Sequence, residues 1–255
     1  MRYTIRIVLA LALLSCAPYV LADSINVVPY SSLTGTGLIT FDDVAGGPMG
    51  TNYDGILMSG GASFAERFVG QNLSFDGDFD VLSGTPVGPL ALQTGVANQN
   101  VSLIDGYLET NILAGVGPVG FPDFDAIGEG SVAMLFVFDQ SQLGFFVHEA
   151  DGVGGSETVN FFRRDGSLIQ TIALTTVCPP PQSLRCGMEY GFQREGGVKD
   201  IAGVSIHNND FNGIGIDIIK HDVPATVPEP STLVLLGVGA MAGATRRWVR
   251  RKHRP

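Results

Sequence analysis

The chain has 255 residues, enough for one large domain or two small ones, with 45% hydrophobic residues, only 16% charged residues and 34 glycines, about twice the usual glycine share. Its net charge of −10 conceals an asymmetry, because both ends are basic. With Arg2, Arg6, the six tail bases and Glu229 set aside, Asp23–Pro228 keeps 7 bases against 24 acids, net −17, which excludes nucleic acid and anionic lipid as natural partners.

The first 22 residues read as a signal peptide. Arg2 and Arg6 supply the positive region, and Ile7 to Leu14 form an apolar core too short for permanent membrane residence. Val20-Leu21-Ala22 places small residues at a cut between Ala22 and Asp23, the work of signal peptidase. A second route stays open: Leu13-Leu14-Ser15-Cys16 resembles a lipoprotein box, which would lipidate Cys16, although the Ala22 site is better formed.

From Asp23 to about residue 226 no linker divides the chain, and no run outside the termini holds a 3.6-residue period. Short stretches of period-two alternation recur instead, punctuated by Gly, Asp, Asn and Pro. They predict strands over Leu38–Phe41, Ala62–Phe68, Val101–Ile104, Tyr107–Ile112, Val132–Phe138 and Leu143–Glu149. Glu157–Arg163 and Ser167–Leu174 flank Arg164-Asp165-Gly166, where Asp-Gly suits the positive φ of a tight hairpin. Val198–His207 and Gly213–Lys220 form a second expected pair around Asn208-Asn209-Asp210, with Ile214, Ile216 and Ile218 on one face of the last strand and Asp217 on the other. The fold class that follows is all-β, a jelly-roll-like sandwich.

Little in this region announces chemistry. Asp76-Gly77-Asp78-Phe79-Asp80 has the acid spacing of an EF-hand start, but Val81 stands where glycine is required and no Glu closes the loop. His148-Glu149 with Asp151 lacks the second histidine of a zinc helix, and Gly154-Gly155-Ser156-Glu157 is a glycine-rich turn without the elbow of a serine hydrolase. The expectation is a protein that is not an enzyme. Aromatics such as Tyr53, Phe64, Tyr107, Phe124 and Phe211 are enough for a sugar-stacking platform, and the loops Phe121–Gly130 and His207–Gly213 are where a ligand would sit. If Cys16 leaves with the signal peptide, Cys178 and Cys186 remain, and an oxidising compartment predicts a disulfide that staples the proline-rich segment between them.

The C-terminus is the most specific stretch. Val227, Pro228, Glu229, Pro230 and Ser231 introduce an apolar run, and Arg246, Arg247, Arg250, Arg251, Lys252 and Arg254 stop it. A helix over 231–245 would reach about 22 Å at 1.5 Å per residue, short of the ~30 Å hydrocarbon core; snorkelling arginines and local thinning would cover the rest. The positive-inside rule keeps residues 246–255 cytoplasmic and the ectodomain, residues 23–226, outside.

These residues resemble the PEP-CTERM sorting signal of Gram-negative bacteria: a Pro-Glu-Pro motif, a short membrane segment and an Arg-rich end, here spanning Val227 to Arg254. The resemblance implies an exosortase as processing partner, with Pro228, Glu229 and Pro230 recognised by it, and delivery from the inner membrane to the cell surface or extracellular matrix. Ile39-Thr40-Phe41-Asp42-Asp43, Tyr53-Asp54-Gly55-Ile56 and Gly215-Ile216-Asp217-Ile218 also look like the plan of many PEP-CTERM ectodomains and of galactose-binding-like jelly rolls. Such folds set the first and last strands side by side, which would bring Asp42, Asp43 and Asp217 together as ligands for Ca2+, a cation that takes six to eight oxygens. Three readings follow: a non-enzymatic exported surface or matrix protein, a calcium-dependent carbohydrate-binding module acting on exopolysaccharide, and a secreted hydrolase.

Overall fold

The computed structural model describes residues 24–105, 110–149, 155–175, 186–210 and 213–224. The signal peptide with Cys16, Ala22 and Asp23 lies outside them, as do Tyr107, Asp151, Cys178, Phe211 and the whole tail with Val227, Pro228, Glu229, Pro230, the 231–245 segment and the bases from Arg246 to Arg254. Cys186 is on a strand, but its side chain too lies outside the described part. Among the described residues no helix is long and apolar enough to cross a membrane.

The chain is built almost wholly of strands, as the period-two pattern implies. In order they are β1 (Ile25–Val28), β2 (Gly37–Ile39), β3 (Thr51–Tyr53), β4 (Leu57–Ser59), β5 (Ala62–Ala65), β6 (Arg67–Phe68), β7 (Asn72–Asp76), β8 (Phe79–Ser83), β9 (Leu92–Gln93) and β10 (Val101–Ile104). There follow β11 (Ile112–Val116), β12 (Ile127–Gly130), β13 (Val132–Gln140), β14 (Gln142–Glu149), β15 (Ser156–Phe162), β16 (Leu168–Thr175), β17 (Cys186–Arg194), β18 (Ile201–Asn208) and β19 (Ile214–His221). One open sheet runs β1-β17-β14-β19-β11-β10-β3, with β2 also on β19 and β12 also on β11; a second runs β16-β15-β18-β13-β5-β4.

Both sheets feed one apolar core. Phe145 of β14 and Phe192 of β17 belong to the first sheet, and Phe161 of β15 to the second; the Phe161 and Phe192 rings lie 5.0 Å apart, so the contact bridges the sheets. Phe41 and Phe64 meet edge to face at 5.1 Å. Each fully buried phenylalanine contributes about 1.5–3 kcal/mol of transfer free energy. Between β11 and β12 the backbones come so close that a Cβ on Gly115 would stand 2.3 Å from the carbonyl oxygen of Gly130, which is why this pair is glycine on both sides.

The β15–β16 hairpin turns through Gly166 at φ +84°, as the Asp-Gly signal implies. The second expected pair does not form. β18 lies between β13 and β15 in one sheet, whereas β19 lies beside β14, β11 and β2 in the other, so the Asn208–Asp210 segment carries the chain between layers. Asn208 holds this crossing from within by donating from Nδ2 to the Gly128 carbonyl at 2.8 Å. Of Tyr107–Ile112 only Ile112 belongs to a described strand, which runs on to Val116. Ala62–Phe68 breaks at Glu66 into β5 and β6.

The strand bearing Ile39 does lie beside the last one, with Ile219 opposite Ile39 and His221 opposite Gly37. The last strand, however, carries a bulge. Gly144 faces Lys220 and Phe146 faces Asp217, so Ile218 and Ile219 together oppose Phe145. Ile218 sits at φ +48°. One extra residue reverses the alternation beyond it: Ile218 leaves the core face, and Ile219, fully buried, joins Ile214 and Ile216 there.

Ile25, Arg194, Ser141 and Asp222 form one row across an end of the first sheet. Ile25 is opposite Arg194, whose N–H donates to the Ser141 carbonyl at 2.8 Å, and the Ser141 N–H donates to Asp222 Oδ2 at 2.8 Å. The two described ends of the chain therefore leave the sheet at the same end. Glu149, at the far end of β14, is about 26 Å from Ser141 at 3.3 Å per residue.

Candidate functional site

Alternation along the strands decides what the far end of the first sheet presents. Leu113, Leu103, Val147 and Ile216 point into the core. Their neighbours Ile112, Ala114, Ile104, His148 and Gly215 must then face the other way. An outward face is normally wet, yet Ile112 is 4% exposed and Ala114 1%. The cover is the segment that ends in β12, which folds back over β11 and brings Phe124, Asp125 and Ile127 over this face. Between sheet and cover lies a cavity of about 300 Å³, lined mainly by Ile104, Ile112, Ala114, Ile127 and Ile214, with His148 and Glu149 as its polar members on β14. Phe124, 44% exposed, and exposed Asp125 stand at the opening.

Both loops singled out in the sequence border this cavity, through Phe124, Asp125 and Ile127 on one side and Gly213 on the other. Gly215 keeps it open, since a Cβ there would lie 2.3 Å from Cγ2 of Ile112. The His148 ring lies 4.5 Å from that of Phe146, tilted at 51° to it, and its Nε2 is shielded from water with no hydrogen-bond partner. Burial pushes the imidazole down to about 4, so it is neutral at physiological pH. Behind Asp125, Glu129 is pushed up to about 7, first by burial and then by Asp78, Asp125 and Asp123.

The three acids proposed for calcium are placed as follows. Asp217 is fully buried at the bulge, where Thr110 Oγ1 donates to Oδ2 and the Ile218 N–H donates to Oδ1 at 2.6 Å. Burial, and to a lesser degree the charge of Asp42, raises it to about 6. Asp42, exposed, accepts from Thr40 Oγ1 at 2.7 Å and from the Asn111 N–H at 3.3 Å. Asp43 accepts instead from Ser59 Oγ at 2.5 Å. Among the described residues no group of three or more His, Cys, Asp or Glu side chains is placed to hold a metal ion.

The EF-hand-like acids form a β7–β8 hairpin whose two-residue turn has Gly77 first at φ +63°, the type II′ requirement. Asp80 then points inward, 1% exposed, accepting from the Ser131 N–H at 2.9 Å and Oγ at 3.2 Å. These acids shape a turn and a buried anchor. The sequence reading missed the covered outer face; its signal, one apolar residue on each side of Leu113, Ile112 and Ala114, is indistinguishable from ordinary core without the fold.

No curated protein matches the chain. Among solved structures, an arabinose-bound α-L-arabinofuranosidase aligns over 52% of this chain and 23% of its own, at 10% identity and TM-score 0.29. The enzymatically active domain of bacteriophage CBA120 tailspike protein 4 aligns over 48% and 18%, at 14% identity and TM-score 0.15. This chain thus spans less than a quarter of either, and similarities so slight carry no argument about fold or activity. One family model does match, over residues 226–251, and by it the chain carries a PEP-CTERM protein-sorting motif at its C-terminus.

Proposed function

We propose that this is an exported protein of the cell surface or extracellular matrix, released from the inner membrane by an exosortase and performing no catalysis of its own. In this reading signal peptidase removes residues 1–22, the 231–245 segment holds the product in the membrane with its bases inside, and exopolysaccharide is the polymer it meets outside. The match to the PEP-CTERM motif over residues 226–251 carries the proposal. The ectodomain is a jelly-roll-like sandwich, a reading supported by strand order: β2-β19-β14-β17 in one sheet and β13-β18-β15-β16 in the other.

The tail is tested by replacing Pro228, Glu229 and Pro230 together with alanine in the native host. The product is expected to stay in the membrane fraction at its unprocessed mass, with the surface and medium pools reduced at least tenfold. An unchanged distribution would remove the sorting role.

A further inference from the structure

We propose that the cavity between the first sheet and its Phe124–Ile127 cover is a binding site for a small uncharged or cationic ligand with an apolar body and one polar head that hydrogen-bonds His148. About 300 Å³ stands at the lower end of small-molecule sites. At roughly 30 Å³ per water-sized group, that is room for about ten non-hydrogen atoms.

Three independent observations define the ligand. The walls contributed by Ile104, Ile112, Ala114 and Ile127 offer an apolar body contact without donors or acceptors. Nε2 of His148 is a buried polar atom with no partner in a side chain that lines the cavity. Buried polar groups are almost always paired; a small turn of the ring toward the cavity would let Nε2, closed to water as the ring stands, accept from a hydroxyl or ammonium on the ligand. Charge selects the head: Asp125 and Glu149 line the cavity and Asp123 lies behind, so a carboxylate would enter against them. The imidazole is neutral and gives an anion no compensation. Both described ends of the chain leave at the opposite end of the sheet, so the opening beside Phe124 is clear of them.

The test uses the mature exported protein and a matched probe series, cyclohexylmethanol, cyclohexylmethylamine and cyclohexanecarboxylate, followed by the methyl resonances of its isoleucines. Saturable shifts are expected at Ile112 and Ile127 with the alcohol and the amine, while Ile172 and Ile206 in the other sheet stay still. The carboxylate is expected to bind at least tenfold more weakly. His148→Leu should weaken the alcohol at least fivefold, and Phe124→Ala, at an exposed position that leaves the fold alone, at least threefold. Absence of saturation with the alcohol and amine, equal binding of the carboxylate, or binding indifferent to both substitutions would each overturn the proposal.

Discussion

Asn100→Ala is expected to lower the stability of the domain by about 3–5 kcal/mol, a large part of the 5–15 kcal/mol typical of a folded protein. Asn100 is fully buried and uses its whole hydrogen-bonding capacity on backbone. Oδ1 accepts from the N–H groups of Glu66 at 2.9 Å and Gly95 at 3.3 Å, and Nδ2 donates to the carbonyls of Tyr53 at 2.6 Å and Gly55 at 2.9 Å. None of these groups is part of a continuous ladder at that point, so one side chain substitutes for a sheet edge among segments distant in sequence. Alanine would unpair all four: the Glu66 N–H is buried and its loss costs about 1–3 kcal/mol, while the three partly buried groups at Tyr53, Gly55 and Gly95 cost less each. Urea unfolding should show the midpoint falling by roughly 1–2 M. A loss under about 1 kcal/mol would mean that water replaces the side chain, and this account of the segment would be wrong.

The second large effect concerns pH. Asp217, pushed to about 6, and Glu129, pushed to about 7, both hold a proton in the folded state at pH values where the unfolded chain has released it. Their stabilisation is complete below the ordinary carboxylate range and fades as pH rises through 6 and then 7. Asp222 acts in the other direction. Burial would raise it, but hydrogen bonds from Ser141 and Gln142 outweigh burial and hold it below its usual range, so its contribution is lost only in strong acid. The protein is therefore expected to be more stable at pH 5 than at pH 8. Asp217→Asn should recover about 2–3 kcal/mol at pH 8 and almost nothing at pH 4. The amide keeps the Ile218 N–H bond, and the Thr110 hydroxyl can turn to accept from it. Thermal unfolding of both proteins across this range checks the claim; an equal effect at pH 4 and pH 8 would contradict it.

Local signals in the sequence were enough for the strand class and for the sorting motif at the C-terminus. Alternation at Val101–Ile104 and Leu143–Glu149, and the Asp165-Gly166 turn, depend on neighbours a few residues away, and the structure has them. What depends on distant partners was not legible. Val198–His207 and Gly213–Lys220 look like a hairpin because a turn signal separates them, but nothing local says that they enter different sheets. β17 escaped notice because Met188, Tyr190 and Phe192 supply its only apolar side, while Gly187, Glu189, Gly191 and Gln193 leave the other face polar or bare between β14 and β1. The Ile218-Ile219 doublet hid the bulge: either isoleucine could continue the Ile214 and Ile216 face, and only the extra residue opposite Phe145 puts Ile219 there in place of Ile218. The cavity was invisible for the same reason as the hairpin error, since its cover comes from another strand's approach.

The most direct measurement is the intact mass of the protein recovered from its native host, with both ends sequenced. The product expected at the surface or in the matrix begins at Asp23 and ends close to the Pro228–Pro230 motif, lacking the apolar segment and the arginines beyond it. A cytosolic product running from Met1 to Pro255 would contradict export and sorting alike.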